Sequence, residues 1–287
     1  MKVSGFSFVR NAIVNDYPIK EAITSILPVC NHFYVAVGAS SDGTLEYIDA
    51  IDPGRIIILP TVWEDTLRTG GRVFAAETNK AMDVVDPSSD WLFYIQADEC
   101  VHEKYLPVIR EAMIKYNDDL RIDGLLFNYL HFYGSYDHVA TSRRWYRKEI
   151  RVIRNNRGIR SYKDAQGFRK NGAKLNVKQI DAFIYHYGWA KSGPGMARKA
   201  GNFGTFYNGT GEIAAYAEFD YSNADRLSKF KGTHPAVMSD RIESSPIHLP
   251  ADFDSRLKPL SLRRSALQLF EDVTGYRLGE YKNYHIV

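Results

Sequence analysis

The sequence is short of several things, and each shortage removes a class of function. Its cysteines, Cys30 and Cys100, lie far apart and share no C-x-x-C spacing. Neither a zinc site nor a disulfide framework is indicated, which suits a reducing cytoplasm. No stretch approaches the roughly 18 apolar residues of a membrane span, and the apolar run before Arg10 is too short for a signal peptide. The first strand is not followed by a Gly-x-Gly-x-x-Gly fingerprint, which argues against a dinucleotide dehydrogenase. A net charge of +3 is too small to imply nucleic acid by itself. No internal repeat or low-complexity tract is present. Aromatic residues, by contrast, are plentiful at 13%; they suit stacking on sugars or bases and equally suit filling a core.

The chain is organised around Asp90–Glu103. Trp91 to Ile95 is a continuous apolar run of strand length, expected of a strand buried on both faces. It stops at Gln96-Ala97-Asp98-Glu99, which puts carboxylates at the carboxyl edge of a sheet, where open α/β sheets bind ligands. Capping of a helix that starts near Glu103 is the other role open to them. Upstream, strands are expected at Val3–Val9, His32–Val37 and Arg55–Leu59. Helices follow Tyr17-Pro18 and the turn Gly38–Thr44, and a further helix spans Val73–Val85. Downstream, Lys104–Tyr116 has helical periodicity and Gly124–Phe132 reads as a strand. This alternation predicts right-handed crossovers and a mostly parallel sheet. Its carboxyl edge collects Arg10, Asn11, Asp42, Asn79, Asp98 and Glu99.

The second half has a different character. Between Arg143 and Lys163 the basic residues face a single acid, Glu149. Trp145–Ile153 is expected as a strand, with Asn155-Asn156-Arg157-Gly158 as a hairpin turn. The arginines either protect a solvated strand face or meet the phosphates of an anionic substrate. Lys178–Tyr187 predicts another strand, ending at His186-Tyr187-Gly188-Trp189. Ser192–Gly195 reads as a turn, Gly201–Gly211 as a ligand-side loop, Asn223–Phe230 as a short helix, and Leu262–Val273 as an amphipathic helix. The Arg263-Arg264 pair of that last helix could touch an anionic membrane, packing on the domain being the alternative.

Four segments in this order, Phe8-Val9-Arg10-Asn11-Ala12, Tyr17-Pro18 with Glu21, Ser40-Ser41-Asp42-Gly43-Thr44, and Asp90-Trp91 running into Gln96-Ala97-Asp98-Glu99, resemble the N-terminal half of the GT-A-fold glycosyltransferases of family two. The likeness covers about residues 3–105; Tyr185-His186-Tyr187-Gly188-Trp189 is loosely similar to a later segment of bacterial members. The resemblance implies an α/β, GT-A-like fold: a mostly parallel Rossmann-like sheet flanked by helices, with a mixed β/α C-terminal extension. Residues 1–135 would form the nucleotide-sugar half and 136–287 the acceptor half of the same compact domain.

It further implies a metal-dependent, inverting enzyme of polysaccharide or glycolipid assembly, cytoplasmic or peripheral to the inner face of the membrane, with no nucleic-acid partner. Mn2+ or Mg2+ would be held by Asp98, with His186 a possible ligand, while Glu99 closes the motif structurally. Arg10, Asn11, Asp42, Asn79 and Gln96 would lie near the donor. Asp164 would be the catalytic base, with Asp137 and Asp181 as alternatives. Two departures stand out. Gln96 occupies the place of the motif's first Asp, and Val37-Gly38 replaces the Asp-Asp common before the following turn. Two other functions compete: a sugar-phosphate nucleotidyltransferase, which should carry a Gly-rich loop where Val9–Ala12 stands, and a nucleic-acid binder using Arg143–Lys163.

Overall fold

Seven apolar or small residues in a row, Val3–Val9, make the first strand, β1, and all but one are buried. Such a strand needs neighbours on both edges and cover on both faces. The computed structural model supplies both, and describes residues 1–67, 69–208, 226–244, 247, 249 and 260–287. β1 pairs in parallel with β2 (His32–Gly38) on one side and, after β3 (Ile56–Thr61), with β4 (Trp91–Tyr94) on the other. Helices α1 (Ile19–Ile26), α2 (Thr44–Asp49) and α3 (Arg72–Asp83) make the crossovers. Along β4, Trp91 and Phe93 pack with Ile19, Ile23, Ile109 and Met113 on one face. Leu92 and Tyr94 pack with Phe6, Met82 and Phe168 on the other. Burial on both faces is why this run shows no alternation in sequence.

Beyond β4 come β5 (Glu99–Val101), α4 (Leu106–Lys115), β6 (Gly124–Tyr133), β7 (His138–Ala140) and β8 (Lys148–Arg154). They are followed by β9 (Ile159–Tyr162), β10 (Gly167–Lys170) and the long β11 (Ala173–Trp189). The sheet runs β3-β2-β1-β4-β8-β6-β11-β10-β9. β8 is antiparallel to both β4 and β6, β6 and β11 are parallel, and β9 to β11 form an antiparallel meander. The architecture is thus α/β, with a parallel first half flanked by helices and a mixed second half. The remaining elements are α5 (Gly193–Asn208), β12 (Leu227–Lys229), α6 (Ser239–Ser244), α7 (Leu262–Thr274) and β13 (Tyr284–Ile286). Among the described residues no helix is long and apolar enough to cross a membrane.

Four local expectations are corrected. Ser192–Gly195 and the glycine-rich stretch after it are not turn and loop but belong largely to α5, and 209–211 lie outside the described residues. Tertiary contacts of this helix, set out below, override its poor intrinsic propensity. Residues 227–229 are a strand pairing with β7 rather than part of a helix, and 223–225 are outside the described residues. The turn at Asn155–Gly158 does not close a hairpin, because β4 and β6 already take both edges of β8, so β9 pairs with β10. Finally, the residues after β4 do not cap a helix: Glu99 begins β5, which pairs with β11.

The basic run of the second half is mostly spent on internal partners. Arg151 is completely buried and grips Glu99 with two hydrogen bonds, Nε to Oε2 at 2.8 Å and Nη2 to Oε1 at 2.7 Å. The Tyr129 hydroxyl donates to the same carboxylate at 2.8 Å, and the Gln96 N–H does so at 3.1 Å. Arg154 donates to the carbonyls of Tyr116, Asp119 and Ile122. Arg143 reaches Glu271 on α7 at 2.7 Å, and Arg147 makes a fork with Glu280. These bonds dock the C-terminal helix on the domain, although Arg263 and Arg264 stay exposed.

Two outcomes follow from this core. Glu99→Ala leaves the Arg151 guanidinium buried without a counter-charge, so urea unfolding should show a loss of about 3–5 kcal/mol. A loss of less than about 1 kcal/mol would mean that water reaches Arg151. Nearby Glu149 is buried, and that burial, against the opposing pull of Arg151, pushes its carboxyl up to about 8 from an ordinary 4.5. The folded chain therefore holds an extra proton between those values, and this group's contribution to stability falls as pH rises through that window. Glu149→Gln should differ little from wild type near about pH 5 and be the more stable protein at about pH 8.5 in the same unfolding assay.

Candidate functional site

The parallel strands reverse their order of addition between β1 and β4: the chain lays β2 and β3 on one side of β1, then returns to place β4 on the other. A crevice opens at the carboxyl ends of strands at such a point, and it is the usual ligand position in open α/β sheets. Arg10 and Asn11 leave the end of β1 there, and Gln96 to Asp98 leave the end of β4.

β11 completes the edge. It runs antiparallel to β5, with His186 opposite Glu99, and the Tyr187 N–H donates to the Asp98 carbonyl at 2.8 Å. This register brings His186 Nε2 to 3.6 Å from Asp98 Oδ2. Lys199, on the first turns of α5, donates its ammonium to the same oxygen at 2.8 Å, and its side chain is only 3% exposed. A β-carbon at Gly188 would fall 2.3 Å from Asp98 Oδ2, 2.3 Å from Lys199 Nζ and 2.7 Å from His186 Nε2. Three polar atoms thus pack directly against the backbone at residue 188, an approach that only a glycine permits. Burial, the largest influence on Asp98, pushes its carboxyl up, but Lys199 and His186 outweigh it and hold the group well below the usual range.

The histidines form a chain with a defined proton pattern. His131 Nε2 sits 2.7 Å from the Tyr146 carbonyl and must donate to it. Burial, aided by His186, pushes the His131 ring well below its ordinary value, so the ring is neutral and its Nδ1 is an acceptor. His186 Nδ1 lies 3.2 Å from that atom and is therefore the donor. Its other ring nitrogen, Nε2, faces the Asp98 carboxylate.

The other residues singled out in the sequence are distributed as follows. Arg10 donates from Nε to the Ala39 carbonyl at 3.0 Å and lies over the Trp63 ring. Asn11, at φ 52°, accepts from the Ser41 N–H. Asp42 accepts from the backbone N–H groups of Thr44 and Val14, bonds that with the Thr44 hydroxyl outweigh partial burial and lower its pKa. Its role is to fix the β2–α2 turn. The amide of Asn79 is committed to Ser161 on β9, as donor and acceptor both. Gln96 Nε2 donates to the Ala165 carbonyl at 3.4 Å, which brings the loop carrying Asp164 to the end of β4. Asp164 sits between two residues of positive φ, Lys163 and Ala165, and lines a cleft of 490 Å³ with Tyr146, Glu149, Tyr162 and Gln166. Asp137 and Asp181 are exposed, Asp181 at an irregularity of β11. Asp98, His186, Gln96 and the Asp164 loop are therefore drawn to one end of the sheet, whereas Asn79 and Asp42 are absorbed by the scaffold.

Sequence reasoning missed Lys191, Lys199 and His131. Lys191 donates to the carbonyls of Asn15 and Asp16, and burial, then the neighbouring Lys199, push it down to about 8. Nothing local marks these lysines, because their segment reads as turn and loop. Gly188 did lie within a segment that drew attention, but its reason is tertiary.

The donor set does not fit a resident divalent cation. Among the described residues no three His, Cys, Asp or Glu side chains are placed to hold one. Asp98 already shares one of its oxygens, Oδ2, with an ammonium. A hard cation of this kind wants several oxygen ligands, and beside Asp98 Oδ2 it would meet the Lys199 ammonium, a like charge.

The sequence matches no protein-family model and no curated protein. Among solved structures, that of TarS from S. aureus aligns with 71% of this chain at 13% identity and a TM-score of 0.40. The match spans 39% of the TarS chain. The 1–349 portion of TarS in complex with UDP-GlcNAc aligns over 72% of this chain and 66% of its own, with 12% identity and a TM-score of 0.39. The inositol-1-phosphate CTP transferase from T. maritima aligns over 64% and 88%, with 10% identity and a TM-score of 0.38. Glucosyl-3-phosphoglycerate synthase from Mycobacterium tuberculosis, solved with Mg2+ and UDP, aligns over 45% and 43%, with 16% identity and a TM-score of 0.30. Likenesses of this size bear on no activity and no residue.

The Asp98 environment has a measurable signature. Its folded carboxyl titrates below the unfolded value of 3.8, so the stability it brings is present above that value and is lost as pH falls toward the folded one. Acid titration of stability should therefore show a loss beginning near pH 4 in the wild type. Asp98→Asn, which takes the carboxylate away from the buried Lys199 ammonium, should be less stable at neutral pH by about 3 kcal/mol and should lack that part of the acid slope. Parallel acid curves for the two proteins would show that Asp98 is not held by its cationic neighbours.

Proposed function

We propose that this chain is a glycosyltransferase that takes a sugar from a nucleotide-sugar donor and passes it, with inversion, to a polysaccharide or glycolipid hydroxyl. The observation that carries the reading is the meeting of Asp98, His186 and Lys199 at the carboxyl edge between β1 and β4, beside a second carboxylate, Asp164, on a separate loop. Transfer of a glycosyl group needs these two things apart from each other. One is a fixed charged end for the leaving diphosphate; the other is a base for the attacking hydroxyl.

In this reading the nucleotide lies over the ends of β1 and β4, near Arg10, Asn11 and Gln96. Its diphosphate points to the Asp98 end. The acceptor lies in the 490 Å³ cleft, whose tyrosines suit a sugar-bearing chain. Asp164 removes the proton of the acceptor hydroxyl as its oxygen bonds to the anomeric carbon, and the bond from that carbon to the diphosphate oxygen breaks on the opposite face. No step is routed through a divalent cation. The nucleotidyltransferase reading is disfavoured because the β1 turn is built on Asn11 and Ser40 rather than on glycines. The nucleic-acid reading loses ground because Arg143, Arg147, Arg151 and Arg154 are engaged within the chain.

Asp164→Asn provides the test. Donor binding, measured by calorimetry with UDP and GDP, should be unchanged, while transfer or hydrolysis of the bound sugar nucleotide should fall by about 10²–10⁴-fold. Full turnover in the variant would remove Asp164 as the base. Failure of the wild type to bind any nucleoside diphosphate would defeat the glycosyltransferase reading itself.

A further inference from the structure

An amphipathic helix at a protein surface normally turns its apolar row inward and its polar side to water. α7 does the reverse. At 3.6 residues per turn, positions 262, 266, 269 and 273 stack in one row, and they hold Leu262, Ala266, Leu269 and Val273. The three large ones are 91%, 65% and 77% exposed, and Phe270 beside the row is exposed as well. The buried positions of the helix are instead Gln268 and Glu271, at 6% and 8%. Polar bonds hold that side down: Arg143 and Arg277 grip Glu271, and Arg226 grips Asp272. Among the described residues no apolar side chain of α7 joins a core cluster. Packing on the domain and contact with a membrane are thus compatible, because the helix does the first with its polar side and keeps its apolar side uncovered.

An apolar row left in water favours a cover, and the charges around it say which cover fits. From residue 260 to 287 the acids are Glu271, Asp272 and Glu280, and each is paired with arginine. Arg263 and Arg264, which follow Leu262 at the start of the row, are exposed and make no ion pair among the described residues. They line a cleft of 380 Å³ with Arg143, Arg144, Leu267 and Gln268, and no described acid borders it. A second copy of this chain would bring no free carboxylate from this segment to meet the two arginines. A bilayer rich in anionic lipid brings both things the face calls for: acyl chains for the row and phosphates for the guanidiniums.

We infer that α7 is a membrane-docking helix: it lies in the interface of an anionic bilayer, with Leu262, Leu269, Phe270 and Val273 at the acyl boundary and Arg263 and Arg264 at the headgroup phosphates. The apolar row is short, so binding depends on both signals together. The inference rests on α7 and not on the glycosyltransferase reading, and a vesicle assay tests it without donor or acceptor.

The experiment is flotation of the full chain with vesicles of mixed phosphatidylglycerol and phosphatidylcholine, and with vesicles of phosphatidylcholine alone. The wild type should float with the first and hardly at all with the second, and its binding should weaken as salt is raised to about 0.5 M, where surface charges are screened. Arg263→Ala/Arg264→Ala should weaken it by about 10- to 30-fold, roughly fivefold for each basic residue at the surface. Leu269→Asp/Val273→Asp should abolish it. Both positions are open to solvent, so circular dichroism and urea unfolding of that variant should match wild type. No binding of the wild type to the anionic vesicles would overturn the inference, as would equal binding to both kinds of vesicle or a folded Leu269→Asp/Val273→Asp variant that binds like wild type. A dimer seen by sedimentation and dissolved in that variant, with no vesicle binding by the wild type, would assign the face to a second copy and overturn it too. If the aspartate variant does not fold, lipid composition, salt and the arginine variant still decide.

Discussion

A guanidinium and a carboxylate shut away from water set the terms for the rest of this molecule. Arg151 and Glu99 are both fully buried, and each would be prohibitively costly alone. They can exist only if β8, which carries Arg151, is inserted beside β4, and if β5, which carries Glu99, turns back beneath it. The pair therefore enforces the antiparallel insertion of β8 between β4 and β6. It also enforces the tight turn after β4, because Glu99 accepts the Gln96 N–H as well. That turn aims Asp98 at β11. A structural ion pair and a candidate ligand-binding residue are thus adjacent in sequence for a reason: the first fixes the backbone from which the second projects.

The same constraint explains the lopsided charge of the second half. A stretch rich in arginine looks like a surface for an anionic partner when read as a string. Folded, it is a set of clamps: Arg154 gathers three carbonyls, while Arg143 and Arg147 seize Glu271 and Glu280 from the end of the chain. Arg277 adds a further fork to Glu271 and reaches the Trp145 carbonyl. Planar, multi-donor guanidiniums suit this work better than lysine ammoniums. Glu271 and Glu280 lie more than a hundred residues in sequence from Arg143 and Arg147, so the local imbalance carried little information about partners.

The parallel half of the sheet was legible in the sequence because its signals are local. Val3–Val9 is apolar or small throughout, Trp91–Tyr94 is apolar without interruption, and the spacing of strands and helices admits few topologies. The structural role of Glu99 was legible as well. The site was only half visible. Asp98 and His186 were singled out, but Lys199, whose ammonium bonds Asp98, sits in a glycine-rich segment whose local propensity argues against the helix it forms. That helix exists through tertiary bonds made by Lys191, Arg198 and Lys199 themselves, and no window of sequence contains both ends of those bonds. Asn79 shows the converse: an amide well placed in the pattern turned out to be consumed by Ser161, a partner that only the closure of β9 over α3 supplies.

Two buried carboxylates at this end of the fold respond to burial in opposite ways. Asp98 is held well below its ordinary range, whereas Glu149 is pushed up to about 8. Desolvation acts upward on both, so the difference lies in who answers the charge. Asp98 has an ammonium at hydrogen-bond distance and an imidazole near it. Glu149 has Arg151 in range, but that guanidinium is already bound through two nitrogens to Glu99, and the Glu99 charge repels a second anion. One guanidinium cannot neutralise two carboxylates in a low-dielectric interior, so the one without its own partner keeps its proton. The molecule thus holds one carboxylate ionised at the carboxyl edge of the sheet and another neutral at the wall of the 490 Å³ cleft. Divergence of this kind between neighbouring acids is what gives a site distinct charged and uncharged ends. Here it follows from which cations are already committed: Lys199 and His186 answer Asp98, while Arg151 is spent on Glu99.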